Sequence, residues 1–193
     1  MKTKMLNTIL LLAISMVLFA PAADAAEPGS NLAGYAGWLF PDGDRVDQDL
    51  VYGVSYGYNV NEYWGIYAKT GFFNVNSAVS NEDIQDAIDD LPLSLDLWMT
   101  DLNAIWYPRG GNFGLFAGLG YQSARADLYV PGEDNNRSVS DGYITYNLGA
   151  NWQWNVGEAF FIRPETTIRW VDQADVVLDA SVWEAVMHFG WKF

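Results

Sequence analysis

From Trp183 to the last residue, every second position is apolar: Trp183, Ala185, Met187, Phe189, Trp191 and Phe193. Between them stand Glu184, Val186, His188, Gly190 and Lys192. A period of two marks a strand with two unlike faces, and this aromatic face is too apolar for water. The same period recurs along the chain in eight runs, at roughly 31–40, 49–59, 63–75, 94–107, 112–129, 141–155, 159–171 and 180–193. In the second run Leu50, Tyr52, Val54, Tyr56 and Tyr58 alternate with Gly53, Ser55 and Gly57. In the sixth, Ile144, Tyr146, Leu148, Ala150, Trp152 and Trp154 alternate with Thr145, Asn147, Gly149, Asn151 and Gln153. Most runs reach the ~9–11 residues that a tilted membrane-spanning strand needs.

The connections alternate in length. Residues 59–62, 108–111 and 156–158 make tight turns, whereas 41–48, 76–93, 130–140 and 172–179 are longer. Short turns on one side and long loops on the other fit an all-β fold, an eight-stranded antiparallel transmembrane β-barrel. The four long loops are then expected to be extracellular and the three short turns periplasmic. Closure is required because an open sheet edge in hydrocarbon finds no water for its backbone groups. Tyr58, Trp64, Trp106, Phe113, Trp154, Phe160 and Trp191 flank the short turns, and Trp38, Phe72, Trp98, Trp170 and Trp183 lie toward the long loops. Two interfacial belts result, since these rings favour the headgroup level. A soluble barrel would bury its large apolar residues inside; here the small, glycine-rich face is the inner one. Pro164 cannot donate a ladder hydrogen bond, which predicts a bulge in the seventh run.

The N-terminus changes the picture by adding export. Lys2 and Lys4 precede an apolar core from Ile9 to Ala20, and Ala23-Asp24-Ala25 offers small residues for cleavage. Residues 1–25 therefore read as a signal peptide and 26–193 as one barrel domain. There is no cysteine, which excludes disulfides and a lipid-anchored N-terminus. The formal net charge is −14, and removal of Lys2, Lys4 and Asp24 leaves the chain more acidic still. That balance argues against nucleic acid as a partner.

Particular segments then carry a family resemblance: Gly34-Tyr-Ala-Gly-Trp38, Gly53-Val-Ser-Tyr-Gly-Tyr-Asn59 and Phe116-Ala-Gly-Leu-Gly-Tyr121. With the terminal strand ending in Phe193, the chain resembles the outer-membrane protein A transmembrane-barrel family, without a peptidoglycan-binding domain. The resemblance implies a Gram-negative outer membrane, contact with its lipid and lipopolysaccharide, and a C-terminal assembly signal at Trp191 and Phe193. Those two residues would be read by the outer-membrane assembly machinery.

Charge is concentrated on the inner face of the last strands. Arg163, Glu165 and Arg169 lie on the seventh run, Glu184, His188 and Lys192 on the eighth, and Lys69 and Asp101 add to them. If Asp172 pairs with Ser181, Arg169 faces Glu184 and Glu165 faces His188. Eight strands leave a bore that side chains fill, so Lys69, Asp101, Arg163, Glu165, Arg169, Glu184 and His188 are expected to plug it as a lumen network. A narrow, gated ion path through the same pairs is the alternative. His188, the one histidine, invites an acyl-transfer triad with Glu165 and Ser181. The three do not converge in sequence-based placement, and a satisfied lumen histidine is the better reading.

No residue pattern specifies a cofactor or a metal centre. The loops carry Asp42, Asp44, Asp47, Asp49, Glu82, Asp83, Asp86, Asp89, Asp90, Glu133, Asp134, Asp172, Asp175 and Asp179. Their carboxylates could recruit divalent cations, although the spacing after Asp42 fits no calcium loop and a solvated acidic surface is the simpler account. Ile84, Ala87, Ile88 and Leu91 recur at helical spacing behind Ser80 or Asn81, which predicts a short helix over 81–91. Taken together, the sequence describes a non-enzymatic barrel with a structural or surface-interaction role. The competing readings are a channel or transporter for small or hydrophobic solutes and, behind it, a lipid A-modifying enzyme.

Overall fold

A computed structural model describes residues 27–41, 49–75, 93–108, 111–128, 137–171 and 181–193. The expected signal peptide, the acidic loop segments and the helix expected over 81–91 lie outside them. The strands in chain order are β1 (Gly29–Pro41), β2 (Asp49–Asn59), β3 (Trp64–Val75), β4 (Leu93–Trp106), β5 (Phe113–Leu128), β6 (Arg137–Trp152), β7 (Trp154–Val156), β8 (Phe160–Val171) and β9 (Ser181–Lys192). Consecutive strands from β1 to β6 pair antiparallel, as do β8 and β9, and β1 pairs with β9. Because β6 and β7 lie end to end against β8, the nine segments make an eight-stranded barrel. The sheet is thereby closed.

Closure satisfies the backbone without water, as a hydrocarbon setting demands. The last residue contributes directly: Ser30 N donates to Phe193 O at 3.0 Å, and Phe193 N donates to Ser30 O at 2.9 Å. At the first short turn Asn61 Oδ1 accepts from the backbone N–H of both Tyr63 and Trp64, an Asx-type arrangement that stands in for a backbone turn. At the last turn Gly157 adopts φ +75°, a left-handed conformation that favours glycine.

The expected bulge at Pro164 does not form. The β8 register continues without an insertion: Asn151 pairs with Glu165 below the gap and Trp154 with Ile162 beyond it. The ladder is instead interrupted around Gln153, opposite the proline-bearing stretch. A missing N–H removes hydrogen bonds without requiring an extra residue, so the register survives.

The two faces follow the alternation. Leu32, Trp38, Tyr52, Tyr56, Phe72, Leu102, Leu119, Leu148 and Trp191 are exposed on the outer wall. Large exposed apolar side chains around the wall are explained by lipid as the surrounding solvent. The belt residues are exposed or half-buried, with one correction: Phe113 is buried, its ring packed at 6.1 Å against Trp152. Among the described residues no helix is long and apolar enough to cross a membrane; the strands do so.

The inner face is less uniformly small than the sequence pattern suggests. Tyr35, Leu39, Val51, Phe73, Leu97, Met99, Tyr143, Val171, Val182 and Val186 form one buried apolar cluster, mostly level with the belt near the long loops. Tyr67, Ile105, Tyr107 and Phe116 form a second near the short turns. The inner glycines make this possible. A methyl group on Gly71 would collide with the Tyr35 hydroxyl, and one on Gly149 with the Phe116 ring. Glycine on one strand admits an aromatic ring from another, which is how a narrow bore is packed.

Candidate functional site

Between the two apolar clusters, at mid-height of the barrel, lies a layer of buried charge. Lys69 on β3 is its hub. The ammonium donates to Glu184 Oε1 at 2.8 Å and Glu165 Oε1 at 3.0 Å, and lies 3.9 Å from Asp101 Oδ2. Arg169 on β8 reaches Asp101 Oδ2 at 2.5 Å and Glu184 Oε2 at 3.4 Å. The Glu184 and Asp101 carboxylates are thus shared between two cations. Contacts from β3 to β8 and β9 run across the bore, so the layer ties opposite walls together.

Arg163 sits lower, stacked 5.4 Å from the ring centres of Tyr67 and Phe161. Its Nη2 lies 3.4 Å from Ser55 Oγ and 3.3 Å from His188 Nδ1. Arginine only donates, so Nδ1 accepts and the histidine proton belongs on Nε2, which faces Glu165 Oε2 at 3.4 Å. His188 in that neutral form leaves three cations, Lys69, Arg163 and Arg169, against three carboxylates. The layer is balanced. Such balance is what a low-dielectric interior requires, because an uncompensated charge there is costly.

All seven residues expected in the lumen network are therefore brought together. The register that led to them needs correction. Ser181 pairs with Trp170 rather than Asp172, so Arg169 stands opposite Val182, Glu184 opposite Thr167, and Glu165 opposite Val186. The Arg169–Glu184 and Glu165–His188 approaches survive because long side chains reach their diagonal neighbours across a strand pair. Sequence placement also gave Lys69 a peripheral part. Its central position depends on barrel closure, which sets β3 facing the β8–β9 seam. Lys192, by contrast, lies outside the layer, 3.6 Å from Glu27 at the short-turn rim.

Serine, histidine and glutamate do converge, with Ser55 in place of Ser181. Ser55 Oγ lies 3.1 Å from His188 Nδ1. All three side chains are buried within the bore, beside an arginine. A general base needs a substrate proton within reach, and the Ser55 hydroxyl is buried between His188 and Arg163.

A family model described as the outer membrane protein beta-barrel domain matches residues 9–193. The chain belongs to that family. Its place is the outer membrane of a Gram-negative bacterium, in keeping with the lipid-facing wall described above. Solved barrels of the same architecture include Ail, the attachment invasion locus protein of Yersinia pestis, in complex with the heparin analogue sucrose octasulfate. It is 18% identical, with 86% of this chain and 99% of Ail covered and a TM-score of 0.58. A major outer membrane protein from Thermus thermophilus is 12% identical over 85% of this chain and 99% of its own, with a TM-score of 0.61. OprG from Pseudomonas aeruginosa is 17% identical over 89% and 98%, with a TM-score of 0.53. No curated protein matches the sequence. At these identities the likeness is one of fold alone.

Proposed function

We propose that this outer-membrane barrel is non-catalytic and closed, with a structural or surface-interaction role. One observation carries the reading: a charge-balanced layer spans the bore and has an apolar cluster on each side of it. An ion entering along the axis would have to leave water, pass apolar rings, and break pairs that compensate one another. In planar bilayers the purified protein should show no steady single-channel openings at neutral pH. Steady openings there would replace this reading with the channel.

The convergence of Ser55, His188 and Glu165 favours one second reading, an acyl-transfer enzyme acting on lipid A. Burial of Ser55 weighs against it. Mass spectra of lipid A from cells with and without the protein should be identical; a lost or gained acyl chain would favour the enzyme.

In this reading the short turns and the Phe193 end would lie in the periplasm and the long loops outside, after removal of a signal peptide at residues 1–25. Acidic loop carboxylates would then meet the phosphates of lipopolysaccharide through divalent cations. The same charge disfavours a sulfated polyanion of the kind bound to Ail. Trp191 and Phe193 would serve as the assembly signal. The Phe193 backbone also closes the β1–β9 seam, so the two roles need separate readouts. Phe193→Ser keeps the backbone bonds available and removes the ring; its level in the outer membrane is expected to fall while refolding of the purified chain in lipid persists. Unchanged outer-membrane levels would remove the assembly role.

A further inference from the structure

On the lipid-facing wall, the outer row of β1 drops from bulky to small side chains at mid-height. Leu32 and Trp38 stand out from the wall, and the outward positions between them are Gly34 and Ala36. Nothing within the protein requires a glycine at position 34. A methyl group there would approach nothing closer than the Gly53 carbonyl oxygen at 3.9 Å, whereas one on the inward Gly37 or Gly53 would collide with neighbouring backbone. Glycine weakens a strand, and in a strand interior it often marks close approach by another group. Here the missing side chain leaves a groove of about 590 Å³ on the outside of the barrel, within the ~300–1,000 Å³ range of ligand sites.

Gly34 and Ala36 make the floor of the groove, Phe189 and Trp191 on β9 one side, and Tyr52, Val54, Thr70 and Phe72 on β2 and β3 the other. Trp191 pairs with Leu32, while Phe72 leads through Tyr52 to Ala36. The lining thus crosses three strand spacings and climbs four residues, about 14 Å in each direction. The rows of paired residues climb in the same sense. The row that starts at Trp191, beside the short turns, passes Leu32, Tyr56 and Ala68 and continues round the barrel to Trp170 in the opposite belt. A diagonal about 45° to strands that themselves tilt ~35–45° runs parallel to the barrel axis. Lipid chains lie in that direction.

We propose that this groove seats one acyl chain of a phospholipid whose headgroup lies at the short-turn end of the barrel. The groove lies between the aromatic belts, in hydrocarbon, so its occupant must be apolar. The Thr70 hydroxyl makes no demand on that occupant: it donates to the Met99 carbonyl oxygen at 3.1 Å and accepts from Thr100 Oγ1 at 3.1 Å. A second barrel presents a stiff convex wall that cannot follow a groove floored by a single strand. A flexible chain can, and by touching the floor and both sides it gains dispersion contacts that a flat wall does not offer. The two ends set the polarity. At the long-loop end the Tyr52 and Phe72 rings pack at 6.4 Å, and the connection between β1 and β2 carries Asp42, Asp44, Asp47 and Asp49 against Arg45. Lipid phosphates are repelled there. At the short-turn end Lys192 and Glu27 form a neutral pair, and Trp191 offers an indole at headgroup level. That end is periplasmic in the orientation proposed above; the groove itself depends neither on that orientation nor on a closed lumen.

Photocrosslinking tests the seat. The purified barrel is placed in phosphatidylcholine vesicles with a trace of phosphatidylethanolamine carrying a diazirine, either at the chain end or beside the ester, and the adducts are mapped by peptide mass spectrometry. Chain-end adducts on Val54 and Phe72 should exceed those on Leu119 and Leu148 of the opposite wall several-fold, with ester-proximal adducts on Leu32 and Trp191. Gly34→Leu and Ala36→Leu each fill the floor and should lower the groove adducts to the opposite-wall level while keeping the heat-modifiable gel mobility of a folded barrel. Uniform labelling round the wall, or groove adducts that survive in a folded variant, would overturn the seat. Groove labelling below that of the opposite wall, together with crosslinked dimers, would give the groove to a second copy and overturn it as well. Ester-proximal adducts at Phe72 instead of Trp191 would overturn the headgroup assignment. Polarity is read against the barrel's own ends, so an error in the proposed orientation would leave this result unchanged.

Discussion

Replacing Lys69 with methionine is expected to destabilise the barrel by about 3–5 kcal/mol, the usual cost of removing one partner from a buried charge cluster. Lys69 contacts Glu184 at 2.8 Å and Glu165 at 3.0 Å, so its loss leaves three carboxylates facing Arg163 and Arg169. The layer then carries an excess negative charge in a low-dielectric interior. Converting Glu184 to glutamine in the same chain restores the balance, and the double variant should be less destabilised than Lys69→Met alone. Unfolding titrations in lipid vesicles measure both. Additive losses would show that the two residues do not interact.

The second large effect lies on the opposite face of the wall. Ala150 on β6 pairs with Leu115 and Thr166, about midway between the two aromatic belts, and its parity is that of the exposed Leu148. Ala150→Arg should cost about 2–4 kcal/mol, the range for arginine on the lipid side of a barrel near the bilayer midplane. Asn151 points the other way and is buried, and Asn151→Ser should be tolerated far better. Equal losses at the two positions in the same vesicle titrations would contradict the assignment of the faces.

Alternation made the strands and their faces legible. A residue such as Phe189 can only face lipid once His188 and Gly190 face inward, because the pleat fixes the period at two. The identity of the lumen charges followed from the same parity, which is why the expected network and the observed one have the same members. Their partners were harder to read. Register depends on loop geometry, and a shift by two residues keeps every side chain on its own face while changing its neighbour. The register guessed from Asp172 and Ser181 therefore kept the right faces with the wrong opposites.

Other features had no local signal at all. Val51, Phe73 and Leu97 sit on the inner face of runs whose neighbours there include Gly53, Gly71 and Asp101, and nothing nearby announces that they form an apolar cap. Ser55 meets His188 from 133 positions away in the chain. Pro164 announced a disturbed ladder, yet whether it would add a residue or merely lose hydrogen bonds was decided by the pairing of β6 and β7 with β8.

By itself, then, the sequence determined what repeats along the chain: eight strands, an apolar outer wall, a polar and charged inner one, and turns alternating short and long. These follow from local stereochemistry and from the solvent each face must meet. Only the tertiary structure decided which inner residues touch, because closing the sheet brings β3 and β4 against β8 and β9 across the bore. The central place of Lys69 and the charge balance around it arise from that closure, where distance along the chain no longer measures distance in space.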